Sequence, residues 1–262
     1  QDEGTSSMSV TRSRGGGQIR VGYFDDMMSA GLTYGIEKMP GSQSTRQMGV
    51  DETREGLLNG DLEAGLVTTW DFMQLPKVDL IPGAGISIHG PSGLFRLCSK
   101  VLPTEIQRVV LDHESFGVRC LLEMLLPAQT GTHPEFVRAP EPIDPRSFDF
   151  EADPHDAYLL TSWRSLVAPM QNFPWTWDLT EAWTGQMRTP LVLFVWAVRR
   201  GVNLRGAEEG IAAQARSNAQ QSDPMLQYVA ERLGANPESI APLYQRILQT
   251  QLSANEIAAL RR

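Results

Sequence analysis

From Ile19 onward the apolar positions alternate with polar or small ones. Ile19, Val21 and Tyr23 carry the period of a half-buried strand. Asp25 and Asp26 follow as cap-type residues, and residues 27–36 predict a short helix leaving that strand. A helix that starts at Asp51 and carries Leu57 and Leu58 stops at Asn59-Gly60. A short strand at 64–67 then brings Thr68 and Thr69 to its carboxyl end. Residues 78–81 and 86–88 predict two further strands, with Gly83, Gly85, Gly90 and Gly93 marking turns or close backbone approach.

A second set of similar parts follows: a strand at 109–111, a helix at 115–126 stopped by Pro127, and a strand at 157–161. Between them, 139–155 is rich in proline and acidic residues and predicts an exposed connection. The apolar run 190–198 predicts a buried strand, and the remainder reads as helical. Asp223-Pro224 and Asn236-Pro237 are start signals, Gly234 is a stop, and Pro242 divides a helix. Ser253 and Glu256 form a capping box ahead of Ile257 and Leu260. Residues 1–18 lack apolar periodicity and predict a flexible tail. Strands alternating with helices indicate an α/β fold, and the crossings suggest two lobes: 19–88 with 197–262 in one, 89–196 in the other.

Composition narrows the function classes. With 262 residues, 41% of them hydrophobic and 21% charged, the chain is an ordinary globular one. Its longest apolar stretch is far short of the roughly 20 residues a membrane helix needs. A net charge of −8 argues against nucleic-acid binding, although a local pocket still accommodates a small anionic ligand. Cys98 and Cys120 sit in apolar surroundings without metal-type spacing and read as free thiols. They suggest a reducing compartment, the cytoplasm; a signal segment ahead of Gln1 would instead imply an extracytoplasmic protein. His89, His113, His133 and His155 show no metal-ligand spacing, so no metal site is expected.

The ordered set of segments carries a resemblance. Arg20-Val21-Gly22 with Tyr34-Gly35, Leu58-Asn59-Gly60 with Leu66-Val67, and Leu111-Asp112 with Ser115 come first. Asp156-Ala157-Tyr158-Leu159-Leu160, Asp178-Leu179 with Trp183, Pro190-Leu191-Val192 with Trp196, and the 252–260 tail follow. In that order they resemble the chorismate dehydratases of the futalosine route to menaquinone, with this chain a divergent member. The resemblance implies a two-lobed type II periplasmic-binding-protein-like fold with mixed, mostly parallel sheets. It also implies a cleft in which water is eliminated from chorismate or a related cyclic carboxylate, without metal or redox cofactor. The expected ligand contacts are Met28, Thr68, Thr69, Leu94, Ser115 and Arg188, with Asp26 and His89 as candidate acid–base groups. Several polar positions of the family pattern are replaced here: an asparagine by Met28, a serine by Leu94, a Thr-Ser pair by Gly117-Val118, a Gly-Asp pair by Ser162-Trp163 and a Thr-Gly pair by Met187-Arg188. Met28 cannot donate a hydrogen bond and Leu94 cannot hold a hydroxyl.

Each candidate also has a structural reading. Asp25 and Asp26 suit helix capping as well as base catalysis, Thr68 and Thr69 suit turn chemistry, and His89 beside Gly90 suits a solvated turn. Arg188 is either a carboxylate clamp or a surface residue. At Ser115, capping and anion binding coincide. The tryptophans 163, 175, 177, 183 and 196 suit core packing as well as an aromatic pocket. Three function classes remain: a lyase, a non-catalytic ligand-binding paralogue, and an extracytoplasmic solute receptor.

Overall fold

The computed structural model of the protein describes residues 18–39, 43–111 and 116–260. The expected tail, but for Gln18, lies outside the described residues, as do Ser115 and His113. β1 (Ile19–Tyr23) follows the alternating pattern. The helix expected over 27–36 is shorter, α1 (Ala30–Thr33). The Ser29 hydroxyl donates to the carbonyls of Phe24 and Asp26 while accepting from the Asp26 amide, so residues 27–29 are spent on a turn. β2 (Gln43–Gln47) is wholly polar and had no apolar signal to reveal it. α2 (Val50–Asn59) ends at Gly60, left-handed at φ 86°, as the Asn-Gly pair predicts. β3 (Ala64–Thr68) runs into α3 (Thr69–Gln74). The two strands expected at 78–81 and 86–88 are one, β4 (Val78–Ile88). Its partner strand shifts register opposite Pro82 and Gly83, a bulge that absorbs the proline's missing N–H and the glycine's φ of 85°.

The chain then crosses to the second lobe. β5 (Phe95–Ser99), β6 (Arg108–Leu111), α4 (Phe116–Thr130), β7 (Glu135–Arg138), β8 (Ala157–Thr161), α5 (Ser162–Val167), β9 (Trp175–Asp178) and α6 (Leu179–Met187) follow in order. Pro127 does not stop α4: it lies in the last turns, where the carbonyl its ring leaves unpaired belongs to solvent-exposed Glu123. The chain returns in β10 (Leu191–Arg199), which pairs along its length with β3 and β4. The second lobe expected to run to 196 therefore gives way to the first sheet by Leu191. α7 (Ala207–Gln220), α8 (Ser222–Leu233), α9 (Pro237–Pro242), β11 (Leu248–Gln249) and α10 (Ala254–Ala259) complete the first lobe. Asp223-Pro224 falls inside the first turn of α8 rather than at its cap, where the amides lack helical partners and proline is tolerated. A π-helical turn at Leu243–Ile247 follows Pro242.

The described strands form two sheets, ordered β11-β4-β10-β3-β1-β2 and β7-β6-β8-β5-β9. Both are mixed. β1 is parallel to β2 and β3, and β6 is parallel to β7 and β8, whereas β10 and β5 run antiparallel to their neighbours. One cluster of buried apolar side chains spans both lobes, from Tyr23, Phe24 and Met28 to Leu94, Val118 and Leu122. Trp196 is fully buried in it, and Trp163, Trp175, Trp177 and Trp183 pack against it partly exposed.

The proline- and acid-rich connection is less exposed than its composition predicts. Ile143 and Phe150 are buried in a separate core with Tyr158 and Phe173, the Phe150 ring lying edge-on at 4.9 Å from Tyr158 and 5.1 Å from Phe173. Lys100 Nζ donates to the carbonyls of Phe150 (3.1 Å) and Asp153 (2.6 Å), and Tyr158 donates to the Asp153 carboxylate at 2.6 Å. Phe150→Ala is therefore expected to destabilise the protein by about 3–5 kcal/mol, the usual cost of emptying a buried aromatic site; denaturant unfolding checks this, and a surface-like loss of under about 0.5 kcal/mol would mean that the connection is not anchored.

At the other end of the molecule Arg20 donates its amide, Nε and Nη2 to the Glu63 carboxylate at 2.8, 3.0 and 2.7 Å. The Arg20 hydrogen bond, outweighing burial, holds the Glu63 carboxyl below its ordinary range. A carboxylate depressed on folding contributes stability above its unfolded pKa and loses it as pH falls through the lower folded value. Melting curves should thus show wild type more stable than Glu63→Gln near pH 7, with the gap closing below about pH 4; a gap that is the same at both pH values contradicts the assignment.

Candidate functional site

Strand register brings the functional ends together. Ile88 opposite Leu191 and Thr68 opposite Phe194 set the carboxyl ends of β4 and β3 beside the start of β10, and parallel β1 ends on the same side at Tyr23. In the other sheet Thr161 faces Phe95 and Leu111 faces Leu159, so β6 and β8 end where β5 begins. The crossings 89–94 and 188–190 join these two edges. The carboxyl strand ends of the lobes therefore face one another, the place where open α/β sheets take ligands. The start of α4 lies close to α3: a Cβ on Gly117 would sit 3.5 Å from that of Trp70.

The loop after β1 is fixed from the C-terminal helices. Tyr228 and Arg232 both donate to the Asp25 carboxylate, and Tyr244 donates to the Met27 carbonyl. Asp26 accepts from the Met28 amide at 2.7 Å, a turn-closing role. Met28 is 9% exposed and Leu94 0%, both in the cluster that spans the lobes. Thr68 is the N-cap of α3, accepting from the Asp71 amide at 3.0 Å and donating to its carboxylate at 2.6 Å. Thr69 beside it has a buried hydroxyl without a partner among the described residues.

The first crossing is held by a group that sequence reasoning treated only as part of a family pattern. Asp178, the N-cap of α6, accepts from the amides of Ser92 (3.1 Å) and Gly93 (2.6 Å) as well as from Thr180 and Glu181 of its own helix. The Gly90 amide donates to Thr184 Oγ1 at 3.2 Å.

Where the two crossings meet, His89, Thr184, Gly185, Arg188, Thr189 and Pro190 line a cavity of about 420 Å³. Two of the expected residues, His89 and Arg188, are thus brought together; Met28, Thr68, Thr69 and Leu94 are not in its wall. Arg188 is left-handed at φ 55° and closes α6. His89 Nε2 lies 2.9 Å from Oε1 of Glu256, a buried carboxylate. Burial acts to raise the Glu256 pKa, but hydrogen bonds from the Ser253 hydroxyl and amide and from the His89 ring prevail and hold it below the ordinary carboxylate range. The capping box announced Glu256 as a helix residue; nothing local announced its partner far back in the chain.

Among the described residues, no helix is long and apolar enough to cross a membrane. Several solved structures share the fold. Protein AF1704 from Archaeoglobus fulgidus matches with a TM-score of 0.72 at 18% identity, over 93% of this chain and 94% of that one. The periplasmic aliphatic sulphonate binding protein SsuA from Escherichia coli matches with a TM-score of 0.62 at 15% identity, over 94% and 90%. The alkanesulfonate-binding SsuA from Xanthomonas axonopodis pv. citri gives 0.59 at 15% identity, over 95% and 91%. The architecture is thus that of the periplasmic binding proteins. No curated protein sequence matches the chain. A sequence model described as menaquinone biosynthesis matches residues 19–262, all of the chain beyond its first segment, and the chain belongs to that menaquinone biosynthesis family.

Proposed function

We propose that this protein takes chorismate or a related cyclic carboxylate between its lobes and eliminates water from it, as a carbon–oxygen lyase of menaquinone biosynthesis. The observation that carries this reading is the cavity at the crossings, where His89, held by ionised Glu256, and Arg188 share one wall. Arg188 supplies a guanidinium suited to a carboxylate. His89 removes the ring proton, Glu256 orients the imidazole and stabilises its charged form, and the ring C–O bond breaks as the proton is returned to the departing hydroxyl, giving water and the carboxyvinyloxy-benzoate. Aromatisation of the ring drives the step.

A second reading, a binding protein without turnover, is favoured by Met28 and Leu94. Both are packed into the core at positions where the resemblance implies polar residues, and solved structures of this fold are named as sulphonate-binding proteins.

Incubation with chorismate followed by chromatography separates the two. Wild type should form the carboxyvinyloxy-benzoate. His89→Gln should lower kcat by about 10²–10⁴-fold with little change in KM, the usual worth of a general base. Arg188→Ala should chiefly raise KM. Calorimetric binding of chorismate without product would establish the binding protein instead, and unaltered turnover in His89→Gln would remove His89 from the reaction.

A further inference from the structure

Arg146 reaches from one lobe to the other. It stands in the proline- and acid-rich connection of the second lobe, on a turn whose shape is set locally. The Asp144 carboxylate accepts from the Arg146 amide at 3.0 Å, and the Asp144 carbonyl accepts from the amides of Ser147 and Phe148 at 3.1 and 2.9 Å. From that turn the exposed guanidinium extends to within 5.0 Å of the centre of the Trp163 ring in α5. Its Nη2 donates to the Leu233 carbonyl of α8, in the first lobe, at 3.2 Å.

The acceptor has a reason in its place. Leu233 closes α8, where the last carbonyls lack helical partners and the helix dipole favours a cation. The amides of Gly234 and Ala235 turn back to the carbonyls of Ala230 and Glu231, and the Leu233 carbonyl faces Arg146 instead. The same end of α8 holds the loop after β1. Tyr228 and Arg232, one turn apart, both donate to the Asp25 carboxylate, and Arg232 also donates to the Tyr228 hydroxyl at 2.7 Å. Arg232 and Leu233 are neighbours, so one residue of this last turn grips the loop of its own lobe and the next meets the opposite lobe.

We propose that Arg146 is a clasp between the lobes that holds the loop after β1 in place through α8. The two crossings join the lobes by the chain itself, whereas Arg146 joins them by a side chain whose bonds break when the lobes part. Its release frees the last turn of α8 and with it the anchor of Asp25. Order in that loop is thereby coupled to closure of the lobes, whatever the cleft binds. Arg164 supplies a control within the second lobe: it too lies 5.0 Å from the Trp163 ring, but its Nε donates to the Ile143 carbonyl at 2.9 Å.

Hydrogen exchange of the ligand-free full chain, followed by mass spectrometry, tests the clasp in wild type, Arg146→Ala and Arg164→Ala, with a thermal melt of each. In Arg146→Ala, peptides covering 25–33 and 226–234 should exchange about three- to tenfold faster, the worth of one hydrogen bond at an exposed position. Peptides covering 54–66 should keep the wild-type rate, and Tm should move by less than about 2 °C, as for a surface substitution. Arg164→Ala should leave 25–33 unchanged. Wild-type exchange at 25–33 in Arg146→Ala overturns the clasp. So does an equal rise in Arg164→Ala, which would trace the effect to stacking on Trp163 inside the second lobe. Faster exchange throughout the chain with a lowered Tm overturns it as well, since Arg146 would then be a general support of the fold. No ligand enters the measurement, so a failure of chorismate to bind would refute the proposed reaction and leave this coupling standing.

Discussion

The Asp178 carboxylate is the joint on which the site depends. One oxygen accepts the amides that open α6, and the other accepts the amides of Ser92 and Gly93 in the first crossing. The same helix ends at Arg188, where the second crossing begins. A single side chain thus fixes one crossing to the helix that leads into the other, and Thr184 adds a bond to Gly90 from the middle of that helix. An anion at a helix N-terminus is favoured by the helix dipole and by four amides that lack internal partners. Here that general preference ties the first crossing to the second lobe's own helix, beside the cavity lined by His89 and Arg188.

Around this joint, apolar and polar demands are divided. A continuous apolar cluster runs from the loop after β1 into the second lobe, so the lobes share a core at the very level where their strand ends meet. Polar groups survive at that level in three conditions. Some are tied into turns and caps, as Asp26 and Thr68 are. Some form long-range pairs, as Asp25 does with Tyr228 and Arg232, and His89 with Glu256. A few, such as Thr69 and Ser162, are buried without partners among the described residues. The last condition is costly to a folded chain.

Membership of the menaquinone biosynthesis family fixes the scaffold and leaves the side chains of the cleft free to differ. The backbone can tolerate this because sheet register and crossings are set by alternating apolar residues and by Asp178, none of which depends on what the cleft side chains are. Fold and reaction are separable for the same reason.

Local periodicity and punctuation residues determined much of the fold. The alternation at Ile19, Val21 and Tyr23 gave β1, Asn59-Gly60 ended α2, Asn236-Pro237 began α9, and Ser253 with Glu256 capped α10. These signals act within a few residues, between a side chain and the nearest backbone groups, and so they can be read in order along the chain. β2 had no such signal: Gln43–Gln47 is a strand only because the edge of β1 offers it hydrogen bonds. Phe150 lay in an acidic, proline-rich stretch and was drawn into a core by Tyr158 and Phe173. The return to the first sheet at Leu191, ahead of the expected boundary, was decided by pairing with β3 and β4. The same holds for the candidate site. The sequence by itself named His89 and Arg188 as separate possibilities and Glu256 as a cap. Only the tertiary structure placed the first two on one cavity and joined His89 to Glu256, because contact between residues far apart in sequence is fixed by how sheets and crossings pack, not by any property of the residues beside them.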